Sequence, residues 1–187
     1  MTGDFLAERE GLQLQVPHCE FGIGSMILSP TSDKLIDGVK VQPAGLWPDD
    51  RGAFMEILRV GNGLAAAFPP ATTQVSTAMS YAGSIKAFHF HLHQTDCWTP
   101  AFGMFQFVLA DFRPASPTFG VKNTLYVGTM RPWQVLIPPG VGHGYKVIGK
   151  EPATLIYVTD RFYNPADEGR VAYNDSRINY DWELQHK

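Results

Sequence analysis

Residues 83–98 read GSIKAFHFHLHQTDCW, a run in which three histidines, His89, His91 and His93, fall at every second position. Alternation over 85–92 is a strand signature, because successive side chains on a strand point to opposite faces. It puts Ile85, Ala87, His89 and His91 on one face and Lys86, Phe88, Phe90 and Leu92 on the other. Two histidines thus share a face with small apolar residues, as they would inside a closed sheet. His93 lies past the strand end, in a solvated loop. Eight similar runs lie to either side between turn residues: VKVQP (39–43), AFMEILRV (53–60), TQVSTAMSY (73–81), MFQFVLADF (104–112), TLYVGTM (124–130), WQVLIPP (133–139), GYKVIG (144–149) and ATLIYVTD (153–160). Nine short β-rich runs at this spacing predict an all-β sandwich or barrel.

The rest of the chain agrees with one such domain. Its 187 residues suffice for a self-sufficient core. Apolar residues make up 44%, aromatics 12%, and 18 Gly with 14 Pro supply many turns. A formal net charge of -3 offers no general field for nucleic acid, so a bound anion needs a few placed cations. No apolar run approaches the roughly 20 residues of a membrane span. Two cysteines are too few for a disulfide framework, and no amino-terminal run has the form of a secretion signal. A soluble, cytoplasmic protein that engages neither nucleic acid nor membrane is expected. Residues 1–35 lack either period and are expected to form an N-terminal extension packed on the domain or on a partner subunit. The domain proper is expected at 36–187. The one helix expected is NGLAAAF (62–68), closed by Pro69 and Pro70. The tail from Asn164 is mostly turn and is expected to fold back over a barrel mouth.

The histidine run has a second property. Gly83, five residues, His89-Phe90-His91, four residues, Asp96, six residues and Gly103 resemble the first motif of the cupin superfamily, with Asp where Glu is usual. Pro138-Pro139-Gly140-Val141-Gly142-His143 resembles the core of its second motif, whose closing Asn is Val147 here. Alternate strand residues point inward, so His89, His91, Asp96 and His143 form one alternative, a metal set for Fe, Mn, Ni or Zn.

A longer resemblance runs from Ile36 to Trp182. It passes through Asp50-Arg51-Gly52-Ala53-Phe54-Met55-Glu56, Gln74, His89, Asp111-Phe112-Arg113, Ser116-Pro117-Thr118-Phe119-Gly120 and Ile137-Pro138-Pro139-Gly140. It continues through His143-Gly144-Tyr145, Tyr157, Tyr163, Pro165, Glu168, Asn174-Asp175, Ile178 and Trp182. In these elements the chain resembles the dTDP-4-dehydrorhamnose 3,5-epimerase family. The resemblance implies a cupin-type jelly-roll barrel with irregular N- and C-terminal extensions, a homodimer, no metal or other cofactor, and a nucleotide-linked 4-keto-6-deoxy sugar as substrate. Epimerisation beside a ketone needs a base on one face, stabilisation of the enolate oxygen and an acid on the other. The resemblance assigns the base to His89, the carboxylate that orients it to Asp175, and the proton donor to Tyr157. It assigns substrate contacts to Arg51, Glu56, Gln74, Lys86, His143, Tyr163 and Glu168, with Arg51 suited to the diphosphate and Tyr163 stacking on the thymine. Taken alone, Asp175 in an Asn-Asp pair reads as a turn carboxylate bonding its own backbone.

Three departures fall at the chemistry. The family has Arg where Lys86 stands, Gln at His91 and, at Asp96, the lysine that reaches the enolate oxygen. A carboxylate there repels a developing enolate. Three hypotheses follow: the epimerase, a metal-dependent cupin enzyme such as a dioxygenase or isomerase, and a barrel that binds a sugar nucleotide without turning it over.

Overall fold

The computed structural model describes residues 5–9 and 12–183. Fifteen strands appear there: β1 (Phe5–Arg9), β2 (Leu12–Gln15), β3 (Ser25–Met26), β4 (Lys40–Pro43), β5 (Leu46–Asp49), β6 (Gly52–Met55), β7 (Gln74–Ser80), β8 (Ile85–His91), β9 (Asp96–Phe102), β10 (Met104–Asp111), β11 (Lys122–Gly128), β12 (Trp133–Ile137), β13 (Val141–Ile148), β14 (Ala153–Thr159) and β15 (Glu168–Arg170). The expected helix at 62–68 is a single 3-10 turn, Gly63–Ala65. Gly61 and Gly63, both at positive φ, and the Pro69-Pro70 stop leave too little chain for an α-helix to nucleate. Among the described residues no helix is long and apolar enough to cross a membrane.

The strands form two facing sheets, β15-β8-β13-β10-β11-β3 and β4-β12-β9-β14-β7, with the separate hairpins β1-β2 and β5-β6. This is a jelly-roll-like sandwich whose sheets do not close into a continuous barrel. Between the sheets lies the main core, where Phe105, Phe107 and Leu109 of β10 meet Leu125, Val135, Ile137 and Leu155. A second core covers the outer face of the six-stranded sheet. There Phe88, Phe90, Val108, Ala110 and Phe112 pack under Leu14, Val16 and Ile23 from the amino-terminal segment, and Val171, Ile178, Tyr180 and Trp182 from the tail. β10 is consequently buried on both faces and reads as a nearly unbroken apolar run. The tail thus covers a sheet face rather than a barrel mouth. Lys122 fastens both terminal segments, its Nζ donating to the carbonyls of Glu20, Gly22, Ile178 and Asn179 at 2.7–3.1 Å.

The loop between β10 and β11 carries the Asp-Phe-Arg and Ser-Pro-Thr elements, and one carboxylate organises it. Fully buried Asp111 accepts hydrogen bonds from Arg113 Nε at 2.8 Å, Ser116 Oγ at 2.6 Å and Thr118 Oγ1 at 2.7 Å. Burial pushes its pKa up, but the donors from Arg113, Ser116 and Thr118 outweigh it and hold the carboxyl below its usual 3.8. The folded-state pKa being depressed, this stabilisation is complete above the ordinary carboxylate value and is lost as pH falls through the lower one. Asp111→Ala should cost about 1–3 kcal/mol near pH 7, because Arg113, Ser116 and Thr118 lose the acceptor they share. Urea unfolding as a function of pH checks this. The gap between wild type and variant should narrow only below about pH 4.

Candidate active site

Where the six-stranded sheet faces β9, β14 and β7, side chains from both walls enclose a cavity of about 330 Å³. β8, β13 and β15 contribute Lys86, His89, His91, His143, Tyr145, Glu168 and Arg170. The opposite wall contributes Asp96, Trp98, Tyr157, Leu155 and Ala78. Gln94 and Tyr163 reach in from loops.

β8 is the strand that decides the geometry. Alongside β13, His89 pairs with His143 while Lys86 pairs with Tyr145, so three steps on β8 match two on β13. The extra residue is a bulge, and it reverses the alternation on either side of itself. Lys86, His89 and His91 therefore all line the cavity, whereas Ile85, Ala87, Phe88 and Phe90 all turn to the outer core. The simple alternation expected from sequence holds for 88–91 and is out of phase at 85–87. Opposite the bulge stands Gly144, where a Cβ would lie 2.3 Å from the Ala87 Cβ and 2.7 Å from its Cα.

His89 Nδ1 lies 2.9 Å from Glu168 Oε1, and Arg170 Nε donates to the same oxygen at 2.7 Å. β15 places both partners, since it pairs with β8 with Arg170 opposite His89 and Glu168 opposite His91. Burial lowers the His89 pKa against the pull of Glu168, which keeps the imidazole neutral and its Nε2 able to accept a proton. Burial likewise draws Glu168 upward, but the bond from Arg170 and the neighbouring His89 hold it below its usual value. The carboxylate bonded to the histidine is thus Glu168, expected as a substrate contact, and not Asp175. Asp175 does not line the cavity. It accepts Arg177 Nε at 3.0 Å, Arg177 Nη2 at 2.7 Å and the Arg177 backbone N–H at 2.9 Å. It stands five residues past β15, where the tail has already turned toward the outer core, so its turn role prevails.

Below the dyad is a polar floor. His91, Asp96 and His143 are all buried. Asp96 accepts Gln94 Nε2 at 2.7 Å and Trp98 Nε1 at 3.1 Å, and the same Gln94 nitrogen lies 3.2 Å from His91 Nε2. Gln94 is held there because Asp167 takes the backbone N–H groups of Leu92, His93 and Gln94. His143 Nδ1 lies 2.9 Å from the Val141 carbonyl, and burial lowers its pKa to about 4 despite Asp96 nearby.

Six of the ten catalytic and substrate-contact residues expected from sequence line the cavity: Lys86, His89, His143, Tyr157, Tyr163 and Glu168. Gln74 stands behind them, its Oε1 accepting the Tyr163 backbone N–H at 3.0 Å. Arg51 and Glu56 lie elsewhere, on or just beyond the exposed β5-β6 hairpin, paired with Asp49 and Arg59. Trp98, Tyr145, Gln94 and Arg170 were not anticipated. Arg170 was legible in principle, because an Arg two residues from Glu168 shares its face on any strand.

A sequence model of dTDP-4-dehydrorhamnose 3,5-epimerases matches residues 33–187. The chain belongs to the dTDP-4-dehydrorhamnose 3,5-epimerase family. It is thereby placed among isomerases. Over 155 residues it is 42% identical to the spore coat polysaccharide biosynthesis protein SpsL of Bacillus subtilis, covering 82% of this chain and all of that one. It is 34% identical over 153 residues to a probable low-salt glycan biosynthesis epimerase of Haloferax volcanii, covering 80% of this chain and 96% of the relative. Among solved structures, NovW, a 4-keto-6-deoxy sugar epimerase from the novobiocin gene cluster of Streptomyces spheroides, superposes with a TM-score of 0.70 at 28% identity, covering 80% of this chain and 76% of NovW.

The bulge generates a test within this epimerase-family site. Gly144→Ala should destabilise the fold by about 1–3 kcal/mol, as overpacking does, and displace His89 from Glu168. Thermal unfolding reads the first effect, and a crystal structure of the variant the second.

Proposed function

We propose that the protein epimerises a nucleotide-linked 4-keto-6-deoxy sugar, as the dTDP-4-dehydrorhamnose 3,5-epimerases do by name. The observation that carries the reading is the His89–Glu168 pair on one wall with Tyr157 on the opposite wall of a single cavity. In this reading His89 Nε2 takes the proton from the carbon next to the ketone, and the C–H electron pair moves onto the C4 oxygen as an enolate. Glu168 holds the imidazole by its other nitrogen and stabilises the cation that forms. Tyr157, whose hydroxyl has no hydrogen-bond partner among the described residues, then gives its proton to the opposite carbon face. The carbon is inverted, and exchange with solvent resets the imidazolium and the phenolate.

Lys86 and Arg170, at the mouth, are assigned to the anionic part of the substrate, and Tyr163 to the nucleotide base. Asp175 acts in this reading only as the anchor of Arg177. The working state is proposed to be a cytoplasmic homodimer. Arg51 and Glu56 reach a substrate only if the β5-β6 hairpin meets another copy, and its exposed Trp47 and Phe54 are apolar surface that such a contact would cover.

Incubation with dTDP-4-keto-6-deoxyglucose in D2O, followed by proton NMR, should show loss of the sugar C3 signal, the C5 signal or both. His89→Ala should slow that loss by roughly 10²- to 10⁴-fold, the usual contribution of a general base. Tyr157→Phe should retain exchange while losing inversion. Unchanged exchange in His89→Ala would sink the assignment. For the assembly, light scattering should give a mass of two chains, and Trp47→Glu should shift it toward one; a monomeric wild type ends that part of the proposal.

A further inference from the structure

The floor of the cavity contains more convergent lone pairs than the proton chemistry above uses. One ligand atom each from His91, Asp96 and His143 lies within 4.8 Å of the other two, and all three residues are buried. They come from three strands, β8, β9 and β13, so both sheets are needed to assemble them. A carbonyl oxygen can only accept, so His143 Nδ1 carries the proton of its 2.9 Å bond to Val141. That fixes the ring with Nε2 toward Asp96 Oδ2, 3.8 Å away, and His91 Nε2 stands 3.9 Å from Asp96 Oδ1. Both gaps are too long for a hydrogen bond, so no proton closes either. Both are shorter than the roughly 4.2 Å that two metal bonds of about 2.1 Å can span, and the set as a whole, its ligand atoms within 4.8 Å of one another, needs to close by only about half an ångström.

We infer that His91, Asp96 and His143 form a binding site for one divalent transition-metal ion. Two imidazoles and a carboxylate suit zinc, iron, manganese or nickel rather than magnesium or calcium. The surroundings have the form of an outer shell. Val141 orients His143, Trp98 donates to one oxygen of Asp96, and Gln94 donates to the other. Gln94 would keep its bond to Asp96 and yield its contact with His91. His89 is not among the residues whose ligand atoms converge, so its Nε2 is left to act as the base. Three protein ligands leave positions open to the cavity, and an ion there supplies positive charge where the family lysine is replaced by Asp96.

This site goes beyond the epimerase reading and stands without it, because its test needs no sugar. Tag-free protein stripped with chelator would be titrated with Zn2+ by calorimetry and with Co2+ by visible absorption, and metal content measured after dialysis. The expected result is one equivalent per chain with a cobalt d–d band. Asp96→Asn and His143→Gln should each weaken binding by about 100-fold or more, beyond the roughly 10- to 100-fold typical of losing an outer partner. His89→Ala should keep the full equivalent. Circular dichroism confirms that each variant is folded, and His91→Gln replaces either that is not. Absence of a saturable equivalent, or binding that survives the ligand variants, overturns the site. Binding without exchange in D2O would leave the site standing and end the epimerase reading instead.

Discussion

Where β8 runs beside β13, three residue steps on one strand are matched to two on the other, with Gly144 making room for Ala87. A regular strand would send Lys86 and His89 to opposite faces. With the bulge, both face the cavity along with His91, while the four apolar residues Ile85, Ala87, Phe88 and Phe90 serve the outer core. The strand therefore satisfies two environments with seven residues. Burial of Phe88 and Phe90 fixes the strand's rotation, and the histidines inherit their direction from it. The chemistry is thus positioned by the packing of residues that never touch the cavity.

That packing needs a cover, and the terminal segments provide it. Leu14 and Val16 from the amino-terminal segment, and Ile178 and Trp182 from the tail, close the outer face. The four carbonyls that converge on Lys122 make a charge tolerable in that layer, since together they take the three N–H donors its ammonium would otherwise give to water. The same route explains Asp175. A tail committed to the outer face can lend the cavity only the edge strand that starts it, and β15 brings Glu168 and Arg170.

Most of the sheet content was legible, because each of the nine runs quoted from sequence overlaps an observed strand. β9 was not: DCWTPAF holds a proline and two polar residues, and its burial on both faces erases the alternation that marks a strand. Missing β9 also hid that Trp98 would share a wall with Asp96. The bulge left no signal beyond Gly144, since a one-residue slip depends on which apolar face wins burial. Resemblance placed His89, the tyrosines and Glu168 in the cavity, but it chose Asp175 as the partner of His89, where the structure has Glu168. That choice depends on where the tail turns, which is a matter of tertiary packing.

The two halves of the cavity also differ in what they ask of a ligand. Around His89 the acceptors are already matched, with Glu168 held between an imidazole and a guanidinium. Around Asp96 the two donors, from Gln94 and Trp98, leave lone pairs of the carboxylate and of His143 turned toward the same space, with His91 Nε2 beside them and met only by the Gln94 nitrogen that Asp96 shares. Low dielectric makes such a group of acceptors costly unless a cation or a donor-rich group completes it. Replacing the family lysine by Asp96 therefore does more than remove a positive charge. On the metal-site proposal, it converts the floor from one that supplies a cation into one that receives it.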